Sequence, residues 1–157
     1  MLNKGEKKIK NATTVDKYGI HFKSALEVYT YEAFMKAGIP LEYEPKHFSL
    51  LPAFEYNGAT KWLGEWTTNR KGKKVRSNTI GTYTEDPKVK PITYCPDFIG
   101  KDFVIECKGF ANESFPLRFK LFKHFLQQNG SNCKIYVVKN HAQVDELIKV
   151  LNVRNNE

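Results

Sequence analysis

The sequence has few cysteines and no long apolar run. Its three cysteines, Cys95, Cys107 and Cys133, are widely spaced and include no Cys-x-x-Cys pair. This argues against a zinc site and a disulfide framework, and it favours free thiols in a reducing compartment. No stretch approaches the length of a transmembrane helix, and the polar N-terminus lacks the apolar run of a secretory signal. We therefore expect a cytoplasmic protein without a membrane partner.

Acidic residues are also scarce relative to basic ones. The chain has 25 Lys and Arg against 17 Asp and Glu, which gives a net charge of +8. Such an excess favours a polyanionic partner, nucleic acid first. The 157 residues, 41% of them hydrophobic, suffice for one ordinary domain with a buried core. We predict a basic flexible arm at 1–14 and a single domain at 15–157.

Periodicity predicts a mixed α/β domain. A helix should begin at the N-cap Ser24, with Glu27 completing a capping box, and end at Gly38. Two strands joined by a turn at Gly100-Lys101 are predicted within 92–109, after an irregular strand in 41–56. Further helices are predicted at 115–128 and 141–151, with a strand at 133–138 between them. A helix between two apolar strands predicts a crossover connection and a mixed sheet.

Residues 57–92 differ in composition from the rest of the chain. They contain two tryptophans and few aliphatic residues, with eight basic against three acidic side chains. A structureless loop of this length would be unusual, so we predict a long hairpin inserted into the domain rather than a second domain. Trp62 and Trp66 would either stack on bases or pack against the sheet. The basic tip is predicted to contact phosphates through Arg70, Lys71, Lys73, Lys74 and Arg76.

The segment 96–109 carries the clearest chemical pattern. Side chains alternate between the faces of a strand, so Glu106 and Lys108 share one face while Phe103, Ile105 and Cys107 point to the other. With a two-residue turn at Gly100-Lys101, Asp97 pairs with Val104 and lies diagonal to Glu106 on the same face. A one-residue slip would reverse that orientation.

Two carboxylates beside an ammonium group suit metal-assisted phosphodiester hydrolysis. Mg²⁺ prefers oxygen ligands, and the backbone carbonyl of Cys107 is a further candidate ligand. A bound metal would activate water, and Lys108 would stabilise the charge of the transition state. The alternative is that Asp97 merely ends a strand while Glu106 and Lys108 form a solvated face.

The arrangement Pro96-Asp97, eight residues, then Glu106-Cys107-Lys108 resembles the PD-(D/E)XK nuclease superfamily. The likeness extends to small phage-encoded endonucleases and Holliday-junction resolvases of that superfamily, and it covers most of 15–140 except 57–92. The segments that carry it are YGIHFKSALEVYTYE (18–32), YEP (43–45), YCPDF (94–98), IECKG (105–109) and RFKLFKHF (118–125). It implies a restriction-endonuclease-like core of α-β-β-β-α-β order, a mixed central sheet flanked by helices, and here a long hairpin insertion.

The resemblance also implies a metal role for a glutamate of the first helix, which Glu27 matches. A helix cap is the alternative role for this residue, and Glu44 is a weaker candidate for the site. Arg118, Lys120 and Lys123 on the helix after the core hairpin either contact phosphates or only face solvent.

The predicted function is a Mg²⁺-dependent DNA endonuclease, phage-encoded and acting in the host cytoplasm, with a preference for branched DNA. Mn²⁺ is expected to substitute for Mg²⁺, and no small-molecule cofactor is expected. The sequence leaves open whether the chain forms a homodimer. The alternative is a non-catalytic nucleic-acid-binding or virion-associated protein that retains the fold. A sequence-specific restriction-like enzyme is less favoured, because the sequence has no obvious recognition domain.

Overall fold

The computed structural model describes residues 14–58, 60–63, 66–76, 82–108 and 114–154. Residues 1–13 of the predicted basic arm lie outside this range. Within it, no helix is both long and apolar enough to cross a membrane. The chain forms two compact units: one comprises the residues up to Phe48 and from Tyr94 onward, and the other is Ser49–Thr93.

The described residues contain fourteen short strands and three helices. In chain order they are β1 Val15–Lys17, β2 Ile20–Phe22, α1 Ala25–Lys36, β3 Glu42–Tyr43, β4 Phe48–Leu51, β5 Phe54–Glu55, β6 Lys61–Leu63, β7 Trp66–Thr68, β8 Lys74–Arg76, β9 Thr82–Thr84, β10 Lys88–Val89, β11 Ile92–Tyr94, β12 Phe98–Ile99, β13 Phe103–Cys107, α2 Phe115–Gln128, β14 Lys134–Val138 and α3 His141–Arg154.

Helix α1 has the ends that its sequence predicts. The Ser24 hydroxyl accepts a hydrogen bond from the Glu27 N–H at 3.2 Å, which caps the first turn. At the other end Gly38 adopts φ +71°, a left-handed conformation that suits glycine. The Ile39 N–H then donates to the Phe34 carbonyl, and the buried side chains of these two residues complete a Schellman motif.

The central sheet is mixed, as predicted. Its strand order is β14-β13-β12-β3, in which β12 is antiparallel to both β3 and β13 and β14 is parallel to β13. Helix α2 supplies the crossover that a parallel pair requires. The chain therefore belongs to the α/β class.

The hairpin between β12 and β13 has a different turn from the predicted one. The Gly100 N–H donates to the Phe103 carbonyl at 2.8 Å, which leaves Lys101 and Asp102 as the two turn residues. Because Phe98 is opposite Ile105, the same register puts Asp97 opposite Glu106 rather than opposite Val104. The register differs by two residues, an even number, so Asp97 keeps the face that it shares with Glu106.

Strand β13 is buried on both faces. Phe103, Ile105 and Cys107 join the core that α1 and α3 complete through Phe34, Val144, Leu147 and Leu151. Val104 and Glu106, on the opposite face, are also at most 5% exposed. Glu106 is thus an acidic residue in the interior of the sheet rather than on a solvated face.

The unit Ser49–Thr93 is a long hairpin of nested antiparallel pairs. Strand β5 pairs with β10, β6 with β9, and β7 with β8. The insertion begins at Ser49, earlier than the predicted residue 57, and it forms a compact unit of its own. At its tip the Asn69 side chain accepts hydrogen bonds from the N–H groups of Lys71 and Lys73, and Gly72 adopts φ +72°.

Candidate active site

Asp97 lies in a break between two strands. Strand β11 ends at Tyr94 and β12 begins at Phe98, so Pro96, which has no N–H, stands outside the ladder. The Asp97 carboxylate accepts a hydrogen bond from the Cys107 N–H at 2.7 Å, and its carbonyl accepts one from the Glu44 N–H at 2.9 Å. The backbones of both neighbouring strands therefore hold Asp97 in place.

Glu106 is held through both carboxylate oxygens. The Tyr94 hydroxyl donates to Oε2 at 2.7 Å, and the Lys108 ammonium donates to Oε1 at 3.2 Å. The Lys108 ammonium also lies 4.3 Å from the centre of the Phe115 ring at the start of α2. The structure thus brings Glu106 and Lys108 into direct contact and places Asp97 opposite Glu106.

Glu27 is buried and carries an extended form of the predicted cap. Its carboxylate accepts hydrogen bonds from the Lys23 N–H at 2.8 Å, the Ser24 hydroxyl at 2.7 Å and the Tyr43 hydroxyl at 2.7 Å. The backbone donor is that of Lys23, one residue before the predicted donor Ser24. The charge of Glu27 also reaches Asp97, where it raises the pKa.

Two effects raise pKa values in the site, burial first and neighbouring negative charge second. Burial, and then the charge of Glu106, raise the pKa of Asp97 to about 8, although the Cys107 N–H and Lys108 oppose this shift. Burial and Glu106 also raise the pKa of Tyr94, while burial and Glu27 raise that of Tyr43. Both tyrosines consequently remain protonated donors to the carboxylates at neutral pH.

The donor chemistry of this site fits a hard divalent cation. Mg²⁺ binds proteins through one or two carboxylates and retains several waters. Asp97 and Glu106 would supply the carboxylates, and the Cys107 carbonyl would be a further ligand. Across the ranges that the structure describes, no three Asp, Glu, His or Cys side chains are grouped to hold one ion. A cation here would therefore depend on two carboxylates and water, with Glu27 as a neighbouring charge.

The predicted phosphate contacts lie elsewhere. Arg118, Lys120 and Lys123 are exposed on α2, and the Lys123 ammonium lies 4.4 Å from the centre of the Phe119 ring. Arg70, Lys71, Lys73 and Lys74 are exposed at the tip of the insertion. For Arg76, Trp62 and Trp66 the backbone lies in β8, β6 and β7, and their side chains are outside the described residues.

Sequence patterns did not assign roles to three residues around the site, Tyr94, Tyr43 and Lys23. Tyr94 and Tyr43 bond site carboxylates, and Lys23 forms an ion pair with Glu44, the weaker candidate of the sequence analysis. Glu44 has φ +40°, a strained conformation for a residue with a side chain. The available signal was their position: Tyr94 and Tyr43 lie in the short segments that carry the family resemblance.

We predict that Asp97→Asn stabilises the metal-free protein at alkaline pH. The pKa of Asp97 is higher in the folded state than the unfolded value of about 3.9. Its contribution to stability is therefore fully present below about pH 4 and is lost as the pH rises toward about 8. Asparagine removes the charge and can still accept the Cys107 N–H.

In denaturant titrations with EDTA, the gain should be roughly 2 kcal/mol or more at pH 8 and small at pH 4. Asp102→Asn, an exposed site in the turn of the same hairpin, is the control and should show no such trend. Equal stability of Asp97→Asn and wild type at pH 8 would contradict the electrostatic description.

Comparison with known proteins does not assign this site a role. No protein-family model, no curated protein and no solved structure matches the chain. Its chemistry is thus defined by the arrangement of Asp97, Glu106, Lys108 and Glu27.

Proposed function

We propose that the chain is a Mg²⁺-dependent DNA endonuclease of the PD-(D/E)XK type. The main support is the position of Asp97, the residue before β12, opposite Glu106 of the antiparallel strand β13, with Lys108 bonded to Glu106. The half-buried Asp97 and the buried Glu106 disfavour negative charge on both acids in the absence of metal, so the site favours a cation. Two carboxylates beside an ammonium group suit metal-assisted hydrolysis of phosphodiesters.

The architecture supports the same proposal. The elements around the site follow one another as α1, β3, β12, β13, α2 and β14. With the short strands outside the central sheet set aside, this sequence of elements is compatible with the α-β-β-β-α-β order that the family resemblance implies, and the insertion lies between β3 and β12. Helix α1 supplies Glu27, β3 supplies Tyr43 and β13 supplies Glu106. Asp97 directly precedes β12, and α2 supports Tyr94 through Phe122.

The residues of the site have distinct roles in this mechanism. A Mg²⁺ ion held by Asp97, Glu106 and the Cys107 carbonyl would activate water and neutralise charge on the scissile phosphate. An ammonium group has three N–H donors. Lys108 uses one on Glu106, and the others are available for a phosphate oxygen. Glu27 adds negative charge beside Asp97 while it fixes the start of α1.

DNA as the substrate is supported by charge and by the resemblance. The net charge of +8 accompanies an acidic catalytic site, so the basic excess lies elsewhere on the chain. The exposed Arg and Lys residues at the tip of the insertion suit contacts to a phosphate backbone. Preference for branched DNA rests on the likeness to junction-resolving nucleases. A protein that only binds nucleic acid would gain nothing from a repulsive buried acidic pair.

The cleavage assay tests this proposal directly. Asp97→Ala and Glu106→Ala should each reduce Mg²⁺-dependent cleavage to background while DNA binding persists, because they remove metal ligands and not phosphate contacts. Four-way junction, flap, single-stranded and plain duplex DNA are the substrates, and Asp102→Ala is the control. A double variant that cuts at the wild-type rate would place the active site elsewhere.

The two roles of Glu27 can be separated by Glu27→Gln. Glutamine retains a carbonyl that accepts from the Lys23 N–H and the Tyr43 hydroxyl, so the melting temperature should change little. If the charge serves the metal site, cleavage should fall by about tenfold or more. Glu32→Gln removes a charge from the same helix and is the matched control. Normal cleavage by Glu27→Gln would leave the residue only its capping role.

The basic tip should contribute salt-dependent binding. Replacing Arg70, Lys71, Lys73, Lys74 and Arg76 with Ser should weaken DNA binding and flatten its dependence on salt, with a loss of about 0.9 in slope per phosphate contact removed. Folding and metal binding should survive. The matched control removes five exposed lysines from the other unit, namely Lys36, Lys101, Lys134, Lys139 and Lys149. An unchanged salt slope together with an altered oligomeric mass would instead indicate that the tip docks another protein.

A further inference from the structure

Tyr94 is the buried residue that links Glu106 to helix α2. It ends β11, directly after the insertion, and is 7% exposed. Its ring stacks on Phe122 with centroids 4.5 Å apart and an interplanar angle of 25°. Its hydroxyl reaches Glu106 Oε2 at 2.7 Å. The ring is therefore fixed by the helix while the hydroxyl is directed at the site.

The α2 residue that stacks on Tyr94 is itself held by packing. Phe122 is fully buried, and the ring of Phe48 lies 5.2 Å from it. Phe48 precedes the insertion and Tyr94 follows it, so the two residues that flank the insertion both contact Phe122. This packing limits the movement of the Tyr94 ring and hence of its hydroxyl.

The hydroxyl determines which way the Glu106 carboxylate faces. One oxygen accepts from Tyr94 and the other from Lys108, and an ionised carboxylate can accept about four hydrogen bonds. Each oxygen therefore keeps capacity for a further partner. Without the hydroxyl, only the Lys108 contact would fix Glu106, and that ammonium is on a flexible chain.

We propose that Tyr94 is a positioning residue that orients the Glu106 carboxylate for a divalent cation. This inference rests on the proposed function, since it concerns the same site. Groups that hydrogen-bond metal ligands orient them, and their removal typically costs about 10- to 100-fold in metal affinity or activity. Tyr94 itself touches neither the cation nor the substrate in this role.

A purely structural role for the hydroxyl is the competing explanation. Tyr29 provides the comparison, because its hydroxyl donates to the Asp145 carboxylate at 2.8 Å and so joins α1 to α3. Tyr29→Phe and Tyr94→Phe each remove one hydroxyl from a tyrosine–carboxylate pair. They differ in burial, since the Tyr29 pair is exposed and the Tyr94 pair is buried, and in whether the carboxylate belongs to the proposed site.

The experiment measures Mn²⁺ binding by calorimetry, Mg²⁺-dependent cleavage kinetics, and melting temperature for wild type and both variants. For Tyr94→Phe we expect Mn²⁺ affinity and kcat to fall by about 10- to 100-fold with KM for DNA unchanged. Its melting temperature should fall further than that of Tyr29→Phe, because a buried hydrogen bond is lost rather than an exposed one, but its ring still stacks on Phe122, so it should stay folded at the assay temperature. Tyr29→Phe should keep wild-type metal affinity and kcat.

Three results would overturn the inference, and they have different meanings. If Tyr94→Phe binds Mn²⁺ and cleaves within twofold of wild type, the positioning role is wrong while the proposed function stands. If Tyr94→Phe is unfolded at the assay temperature, the hydroxyl is structural. If wild type neither binds Mn²⁺ nor cleaves DNA, the proposed function fails and the inference fails with it.

Discussion

The site depends on two neighbouring acidic side chains, the half-buried Asp97 and the buried Glu106, in surroundings that disfavour a negative charge on both. The register of β12 and β13 puts Asp97, the residue before β12, opposite Glu106, and burial together with the charge of Glu106 opposes ionisation of Asp97. Such a pair is unfavourable unless donors surround it, and the Cys107 N–H, Tyr94 and Lys108 provide them. Much of the local structure is arranged to keep these acids in place despite their repulsion.

The elements of the first unit contribute to this arrangement in turn. Helix α1 brings Glu27 close enough for its charge to act on Asp97, and β3 supplies Tyr43 to hold Glu27. The residue after β3, Glu44, adopts a positive φ while its N–H bonds Asp97. Helix α2 acts through Phe122, which fixes the ring of Tyr94. Strain and buried charge are thus concentrated at one place, as expected where function opposes stability.

The sequence predicted the helices and the mixed sheet because their signals are local. Capping residues and apolar periodicity defined α1, α2 and α3 to within a few residues, and the crossover followed from their order. The turn of the core hairpin could not be predicted in this way. Gly100 was interpreted as a turn residue, but a Cβ there would overlap the Phe103 ring, so glycine serves close packing at this position. That contact between residues on two strands is tertiary information. The wrong turn did not change the predicted face of Asp97, because a register shift of two residues keeps every side chain on the same face of the sheet.

The sequence presented the two roles of Glu27 as alternatives, but the geometry makes them compatible. A carboxylate at N3 of a helix has two oxygens, and here the Lys23 N–H, the Ser24 hydroxyl and the Tyr43 hydroxyl all converge on them. Those three donors satisfy the Glu27 carboxylate although the residue is only 5% exposed. A charge fixed in this way adds to the repulsion felt by Asp97. The cap and a role in the site are therefore compatible. The hydrogen bonds of the cap hold a third acidic side chain, buried and ordered, beside Asp97 and Glu106.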